Sequence, residues 1–145
     1  MLFPPHTARL RRLGARIGRA GEDAARRHLE NCGYDCLASN WRPPHGGGEI
    51  DLVALSRSGQ LCLVEVKTRR IRPGQRLDEV APLLAVDAGK RRHLFHCAHA
   101  YRQACGLRRV SVRFDVVEVW CRGLRPVAIR HWPAAFAEEE RPARQ

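Results

Sequence analysis

Two short apolar runs dominate the hydrophobic pattern of the chain, one at Ile50–Leu55 and one at 61–66. Each run has the length of a strand and is apolar on both faces, which is typical of strands buried between two covering layers. Arg57-Ser58-Gly59 separates them, and a three-residue loop that ends in a left-handed glycine joins two strands as a hairpin. The pattern therefore predicts a buried antiparallel hairpin at the centre of the fold.

The remaining pattern predicts two helices and three further strands around this hairpin. Apolar and small residues at the helical period indicate the helices, with Asp87 as the N-cap of the second and Gly33 closing the first. Alternating apolar positions indicate the strands. We therefore expect an α/β fold, a mixed β-sheet of about four to five strands flanked by helices. The predicted bounds are 15–32 and 87–105 for the helices and 34–41, 110–120 and 127–132 for the strands.

Composition divides the 145 residues into one domain and two ends. A basic, Pro- and Arg-rich segment predicts a flexible head over 1–14, and a polar segment predicts a flexible tail over 137–145. The length between them, 15–136, suits one domain with a sizeable core.

The formal net charge of +11 points to polyanionic partners, either nucleic acid or an anionic membrane surface. No apolar run is long enough to span a bilayer, and the N-terminus lacks the apolar core of a secretory signal. The six cysteines form no C-x-x-C pair, so they are interpreted as reduced, buried small hydrophobes rather than zinc ligands. These features favour a cytoplasmic protein without a membrane anchor.

Basic residues concentrate in two places that suit a phosphate backbone. The segment 67–76 holds five cations and no acid, and it begins a long irregular stretch to residue 86 that is predicted to be a mobile loop. The first turn of the second helix carries further cations. The alternative is a solvated Arg-rich loop. The predicted nucleic-acid contacts are Arg69, Arg70, Arg72, Arg76, Lys90 and Arg91.

The buried hairpin contains charges that fold stability alone does not require, because a buried charge costs several kcal/mol unless it is paired or binds a metal. With a three-residue loop, Asp51 lies opposite Glu65, and the two carboxylates repel unless a proton or cation lies between them. A hard divalent ion is the natural partner. With a two-residue loop the two side chains would point to opposite faces.

Lys67 has a compositional argument of its own, because only two of the 26 basic residues are lysines and the rest are arginines. A compact ammonium can hold an attacking water or stabilise charge on a transition state. The alternatives are chance or a structural pair with Glu49. On the first helix, Glu22 lies on or beside the buried face, unless it is a solvated first-turn carboxylate that favours the helix dipole.

Four short motifs together resemble a known family. They are Gly21-Glu22-x-x-Ala25, Asn40-Trp41-Arg42, Gly48-Glu49-Ile50-Asp51-Leu52 and Val64-Glu65-Val66-Lys67-Thr68-Arg69. In this order and spacing they resemble the YraN-like family of small bacterial proteins. That family belongs to the restriction-endonuclease-like, or PD-(D/E)XK, superfamily and is similar to archaeal Holliday junction resolvases. The resemblance covers residues 15–136, which makes that segment a nuclease-like domain.

The resemblance implies a metal-dependent endonuclease that cuts structured or branched nucleic acid, with DNA favoured as the partner. The catalytic set would be Glu22, Asp51, Glu65 and Lys67. Asp51, Glu65, Glu22 and the backbone carbonyl of Val66 would hold Mg²⁺ or Mn²⁺. One departure is Ile50, where the superfamily often has proline. The alternative is a non-catalytic nucleic-acid-binding protein on the same fold, and a homodimer is suggested by analogy alone.

Overall fold

The computed structural model describes residues 5–77 and 86–138. These residues form two α-helices and five β-strands. In chain order they are α1 (Pro5–Asn31), β1 (Asp35–Trp41), β2 (Ile50–Leu55), β3 (Leu61–Arg70), α2 (Ala88–Ala104), β4 (Val112–Arg122) and β5 (Arg125–Phe136).

The strands build one mixed sheet in the order β1-β2-β3-β4-β5. Neighbouring strands are antiparallel except β3 and β4, which run parallel and are joined by the crossover that contains α2. A parallel pair needs such a crossover, because its second strand must start again at the same end of the sheet. The predicted α/β fold with a mixed sheet flanked by helices is confirmed.

The core lies on both faces of the sheet. On one face, Ala25 and Leu29 of α1 pack with Val64 of β3 and Val117 of β4. On the other face, Leu94 and other α2 side chains pack against the opposite sides of the same strands. The hairpin strands are therefore apolar on both faces because each face meets a helix, as the sequence predicts.

The hairpin loop has the predicted geometry. Gln60 accepts a hydrogen bond from the Ser56 amide at 2.9 Å, and Gly59 adopts a left-handed φ of +83°. The register runs from Leu55 opposite Leu61 to Leu52 opposite Val64. The paired register ends there, and Asp51 and Glu65 are the next residues beyond this last pair on β2 and β3.

Helix α1 begins at Pro5, well before the predicted start at residue 15. Proline suits the first helical position, and Leu13 and Ile17 continue the buried stripe one turn apart. Residues 5–14 are thus helical, whereas the sequence suggests a flexible head over 1–14; residues 1–4 lie outside the described chain. Cys32, expected in the buried stripe, is exposed because the helix ends at Asn31.

Two strands are longer than predicted, since partners elsewhere in the chain extend them. Strand β3 continues to Arg70 because β4 pairs with it over its whole length, and β5 reaches Phe136 along the other edge of β4. The start of the predicted mobile loop is therefore strand, while residues 78–85 of that loop lie outside the described residues. Most of the predicted tail, 139–145, also lies outside them.

Cys105, interpreted from the sequence as buried, is exposed just after the end of α2. In residues 5–77 and 86–138, both helices lack the sustained apolar length that crossing a bilayer requires.

Gly21 sets how closely α1 approaches the sheet. A methyl group added there would collide with the Thr68 side chain, whose Cβ would lie only 2.9 Å away. We expect Gly21→Ala to lower the free energy of unfolding by about 1–3 kcal/mol, as overpacking usually does. Gly14→Ala is the control, because an added Cβ meets nothing within 4 Å there. It should raise stability by about 0.5–1 kcal/mol through helix propensity. Equal effects of both changes in urea denaturation would contradict the close approach.

Candidate metal centre

Glu65 is the most buried acid of the predicted site, with 5% of its surface exposed. Its Oε1 lies 3.5 Å from Lys67 Nζ, and its Oε2 lies 3.5 Å from Lys90 Nζ at the start of α2. The Lys90 contact lacks hydrogen-bond geometry, so the buried Oε2 atom has no hydrogen-bond donor. A buried carboxylate oxygen without a donor costs free energy unless something else binds it.

Asp51, at the start of β2, is partly buried and tied to the neighbouring strand. Its Oδ2 accepts a hydrogen bond from the Val66 amide at 2.8 Å. Burial, together with the nearby Glu65 and Glu22 carboxylates, raises the pKa of Asp51 to about 7, against the lowering effects of the Val66 amide and Lys90. Asp51 therefore lies in an environment that is short of positive charge at neutral pH.

Strand alternation distributes the site residues as predicted. Glu65 and Lys67 project to the face that α2 covers, where they form an ion pair. Val64 and Val66 project to the opposite face and pack against the α1 side of the core. The alternative interpretation of Lys67, a structural pair with Glu49, is not found, because Glu49 pairs with Arg42 at 2.7 Å.

Glu22 lies near the site without completing a ligand cluster. It is close enough to raise the pKa of Asp51. Nevertheless, no three His, Cys, Asp or Glu side chains in the described ranges lie close enough together to hold a metal ion. Within the described residues, the two acids that the structure brings together here are Asp51 and Glu65.

This pair of carboxylates fits a hard divalent cation. Mg²⁺ is usually bound through one or two carboxylates, with waters and substrate phosphates completing its shell. The Glu65 oxygen without a donor and the raised pKa of Asp51 both indicate that added positive charge would be stabilising here. The Val66 carbonyl as a third ligand stays a prediction.

The basic residues predicted to contact nucleic acid fall into two groups. Arg69 donates to Glu118 at 3.1 Å, and Arg91 donates to the Val86 carbonyl at 2.8 Å, so both have partners within the fold. Lys90 serves Glu65. Arg70, Arg72 and Arg76 lie on the exposed surface where β3 ends and the following loop begins.

Two further acids on β4, Asp115 and Glu118, are completely buried and were not assigned to the site. Asp115 accepts hydrogen bonds from Arg113, His131 and the Ala134 amide at 2.7–3.0 Å. Burial by itself would raise the pKa of Asp115, but the His131 and Arg113 hydrogen bonds outweigh it and lower the pKa below its ordinary value. The sequence does carry a signal that these two acids are buried, because each of them interrupts a strongly apolar strand, as Asp51 does.

The raised pKa of Asp51 predicts a metal-dependent change in the pH profile of stability. Without metal, the unfolded chain releases this proton near 3.8 and the folded chain near 7. Stability should therefore fall as pH rises across that window, by about 4 kcal/mol in total. A divalent cation favours the ionised carboxylate and should remove most of this loss.

Thermal melts over a pH series, with EDTA and with Mn²⁺, measure this effect. Asp51→Asn is the control, and the difference between the two metal conditions should nearly vanish in it. Two results would contradict a cation at this carboxylate. One is a difference in melting temperature between Mn²⁺ and EDTA that stays constant between pH 4 and 7 in the wild type, and the other is the same difference persisting unchanged in Asp51→Asn.

The fold and the site define an α/β protein with a five-stranded mixed sheet between helices and two neighbouring acids beside a lysine. The chain belongs to the uncharacterised protein family UPF0102, whose family model matches residues 21–119. That range contains Glu22, Asp51, Glu65 and Lys67, and membership of the YraN-like family is thereby confirmed.

Individual relatives support this assignment over most of the chain. A UPF0102 protein of Solibacter usitatus is 40% identical over 124 residues, 79% of this chain and 89% of the relative. One of Chloroflexus aurantiacus is 40% identical over 126 residues, covering 86% and 95% of the two chains. One of Synechococcus sp. is 44% identical over 104 residues, covering 71% and 74%.

Proposed function

We propose that this protein is a metal-dependent endonuclease of the restriction-endonuclease-like superfamily, acting on structured or branched nucleic acid. The observation that carries the proposal is the pair of Asp51 and Glu65. They lie on adjacent strands, the Glu65 carboxylate is close enough to help raise the pKa of Asp51 to about 7, and Glu65 has a buried oxygen without a hydrogen-bond donor. Such perturbed, paired acids occur mainly at functional sites.

In this mechanism Asp51 and Glu65 would hold one or two Mg²⁺ or Mn²⁺ ions, with Glu22 adding negative charge nearby. A divalent ion held there would supply Lewis-acid chemistry, a lowered pKa of a water molecule and a polarised scissile phosphate. The Val66 amide keeps the Asp51 carboxylate in position through its 2.8 Å hydrogen bond. Lys67, whose side chain is 41% exposed, presents its ammonium to solvent beside Glu65 and would orient the attacking water or stabilise the developing negative charge.

Binding to nucleic acid would come from overall charge and from the exposed arginines. The net charge of +11 favours association with any polyanion. Arg70, Arg72 and Arg76 lie just beyond the catalytic lysine along the chain, where they can contact phosphates without reading bases. DNA is the proposed partner, with RNA as the competing substrate in the assay.

The second candidate is a nucleic-acid-binding protein that does not cut. One observation favours it, because two ammonium groups already lie 3.5 Å from the two Glu65 oxygens. Lys67 and Lys90 together neutralise that carboxylate without a metal. In this case the same fold would hold nucleic acid through its basic surface alone.

The deciding experiment incubates the purified protein with labelled duplex, flapped and four-way-junction DNA and with matching RNA, in Mg²⁺, Mn²⁺ or EDTA. A nuclease gives cleavage that requires the metal and also binds Mn²⁺ in isothermal titration calorimetry. A salt-dependent gel shift without cleavage and without metal binding would replace the endonuclease by the second candidate.

Two further features belong to the same proposal. All six cysteines are free thiols, which suits a reducing cytoplasm.

A homodimer would match the two-fold symmetry of a junction substrate, and sedimentation of the protein with and without such a substrate tests it.

A further inference from the structure

Trp132 on β5 is a large aromatic side chain that the fold leaves 39% exposed. Its indole Nε1 donates a hydrogen bond to Glu118 Oε1 at 2.9 Å. Indole N–H groups usually take such a partner when the ring has one apolar and one wet side. The ring therefore combines exposure to solvent with a directional anchor.

The anchor is rigid because Glu118 is completely buried. Its other oxygen accepts a hydrogen bond from Arg69 Nε at 3.1 Å. A buried carboxylate that is held from both sides cannot rotate freely, because breaking either contact would leave a buried charge without its partner. The orientation of the Trp132 ring is thus set by the interior of the protein rather than by solvent.

Trp132 shares a sheet face with the candidate metal centre. Glu65 pairs with Val116 of β4, and Val116 pairs with Trp132 of β5, so the three side chains project to one side. Adjacent strands lie about 4.8 Å apart, which places the Trp132 backbone about 10 Å from that of Glu65. A strand of nucleic acid with a phosphate at Asp51 and Glu65 can bring a neighbouring base to that distance.

Two arginines, Arg69 and Arg130, share the sheet face of Trp132. Arg130, two residues before Trp132 on the same face, is exposed and lies 5.4 Å from the Trp120 ring. Arg69 binds the second carboxylate oxygen of Glu118, the one that Trp132 does not contact. Aromatic rings among cations are the arrangement that proteins use for single-stranded nucleic acid, where bases stack on the ring and cations follow the backbone.

We propose that Trp132 is a stacking platform for an unpaired base beside the scissile phosphate, so that the protein selects nucleic acid with single-stranded nucleotides over continuous duplex. The position of the scissile phosphate rests on the function proposed above. In a duplex both faces of each base are already stacked on neighbours, so only an extruded or unpaired base can lie on the indole.

Fluorescence anisotropy with labelled DNA tests the platform in EDTA, where cleavage cannot occur. Two substrates of equal length are compared at constant salt, a continuous duplex and the same duplex with a short single-stranded gap. The wild-type protein should bind the gapped substrate more tightly. Trp132→Ala should weaken binding to the gapped substrate about tenfold, the effect of losing a base–aromatic stack, and leave duplex binding within about twofold.

Two variants separate stacking from structure. Trp132→Phe keeps an aromatic face but loses the bond to Glu118, and it should retain most of the preference for the gap. Leu124→Ala removes another exposed apolar side chain, 38% exposed, and should bind both substrates as the wild type does. Circular dichroism and thermal melts check that each variant is folded.

The stacking proposal is overturned if wild-type protein shows no preference for the gap, if it binds neither substrate, or if Trp132→Ala weakens both substrates equally. A preserved gap preference without any metal-dependent cleavage would instead refute the nuclease function and leave the platform intact.

Discussion

Asp51→Asn is expected to reduce metal-dependent cleavage by about a thousandfold or more, with little change in nucleic-acid affinity. The change keeps the side-chain volume and an oxygen that can accept the Val66 amide at 2.8 Å, but it removes the charge that a divalent cation needs. Loss of the metal removes several kcal/mol of transition-state stabilisation, and each 1.36 kcal/mol is tenfold in rate. Single-turnover cleavage and anisotropy on the same substrate measure both quantities.

Lys67 tests the other half of the same site. Lys67→Ala should slow cleavage by about 10²–10³-fold, the usual cost of one charge-stabilising group. Lys67→Arg should recover little of this, because a planar guanidinium does not replace a compact ammonium. Since Lys67 Nζ lies 3.5 Å from Glu65 Oε1, the metal affinity of each variant is measured as well.

Asp23→Asn is the matched control for charge. Asp23 lies on the exposed side of α1, with a side chain 60% exposed and only a 3.9 Å contact to Arg26. Like Asp51→Asn, the Asp23→Asn variant loses one negative charge, but the changed residue lies outside the site. Its cleavage rate should therefore equal that of the wild type. Identical residual cleavage in wild type, Asp51→Asn and Lys67→Ala would assign the activity to a contaminant.

Asp115→Ala is expected to cost about 3–5 kcal/mol of stability. The carboxylate is fully buried and joins Arg113 of β4, His131 of β5 and the Ala134 amide. Without it, a guanidinium and a backbone amide in a mostly buried region lose their partner. Urea denaturation at neutral pH measures the loss.

The pH dependence of the same network supplies a second readout. The folded pKa of Asp115 is lowered, so its stabilising effect is present at neutral pH and is lost only as pH falls through that lowered value. Asp35→Asn, at an exposed position on β1, is the control and should change stability by less than about 0.5 kcal/mol. A wild-type-like midpoint for Asp115→Ala would mean that the network adds nothing to stability.

The hairpin shows what local sequence can determine. Its register follows from three residues of loop and from strict alternation, and both act over distances of a few residues. The pairing of Leu52 with Val64, which brings Asp51 and Glu65 close together just beyond it, could therefore be predicted before any tertiary contact was known. The N-cap of α2 at Asp87, which accepts from the Lys90 amide at 3.0 Å, is local in the same sense.

The partners of the charged side chains could not be predicted in this way. Arg69 looks like a phosphate contact in the sequence, but the parallel pairing of β3 with β4 brings it to Glu118, 49 residues away. Glu22 is close enough to raise the pKa of Asp51 but does not form a three-residue metal-ligand cluster in the described residues. Its distance from Asp51 depends on how α1 packs on the sheet, which the sequence does not show. The sequence did not single out Trp132, because only the pairing of β5 with β4 shows that its side chain shares a sheet face with Glu65.

For this protein the sequence by itself determined the fold class, the hairpin register and the proximity of the two acids, because alternation and turn geometry are properties of neighbouring residues. Tertiary structure alone decided where α1 begins, how far β3 and β5 extend, and which cations are bound by buried acids. Those outcomes depend on which distant segments meet, and the free energy of a buried charge depends on the partner that it meets there.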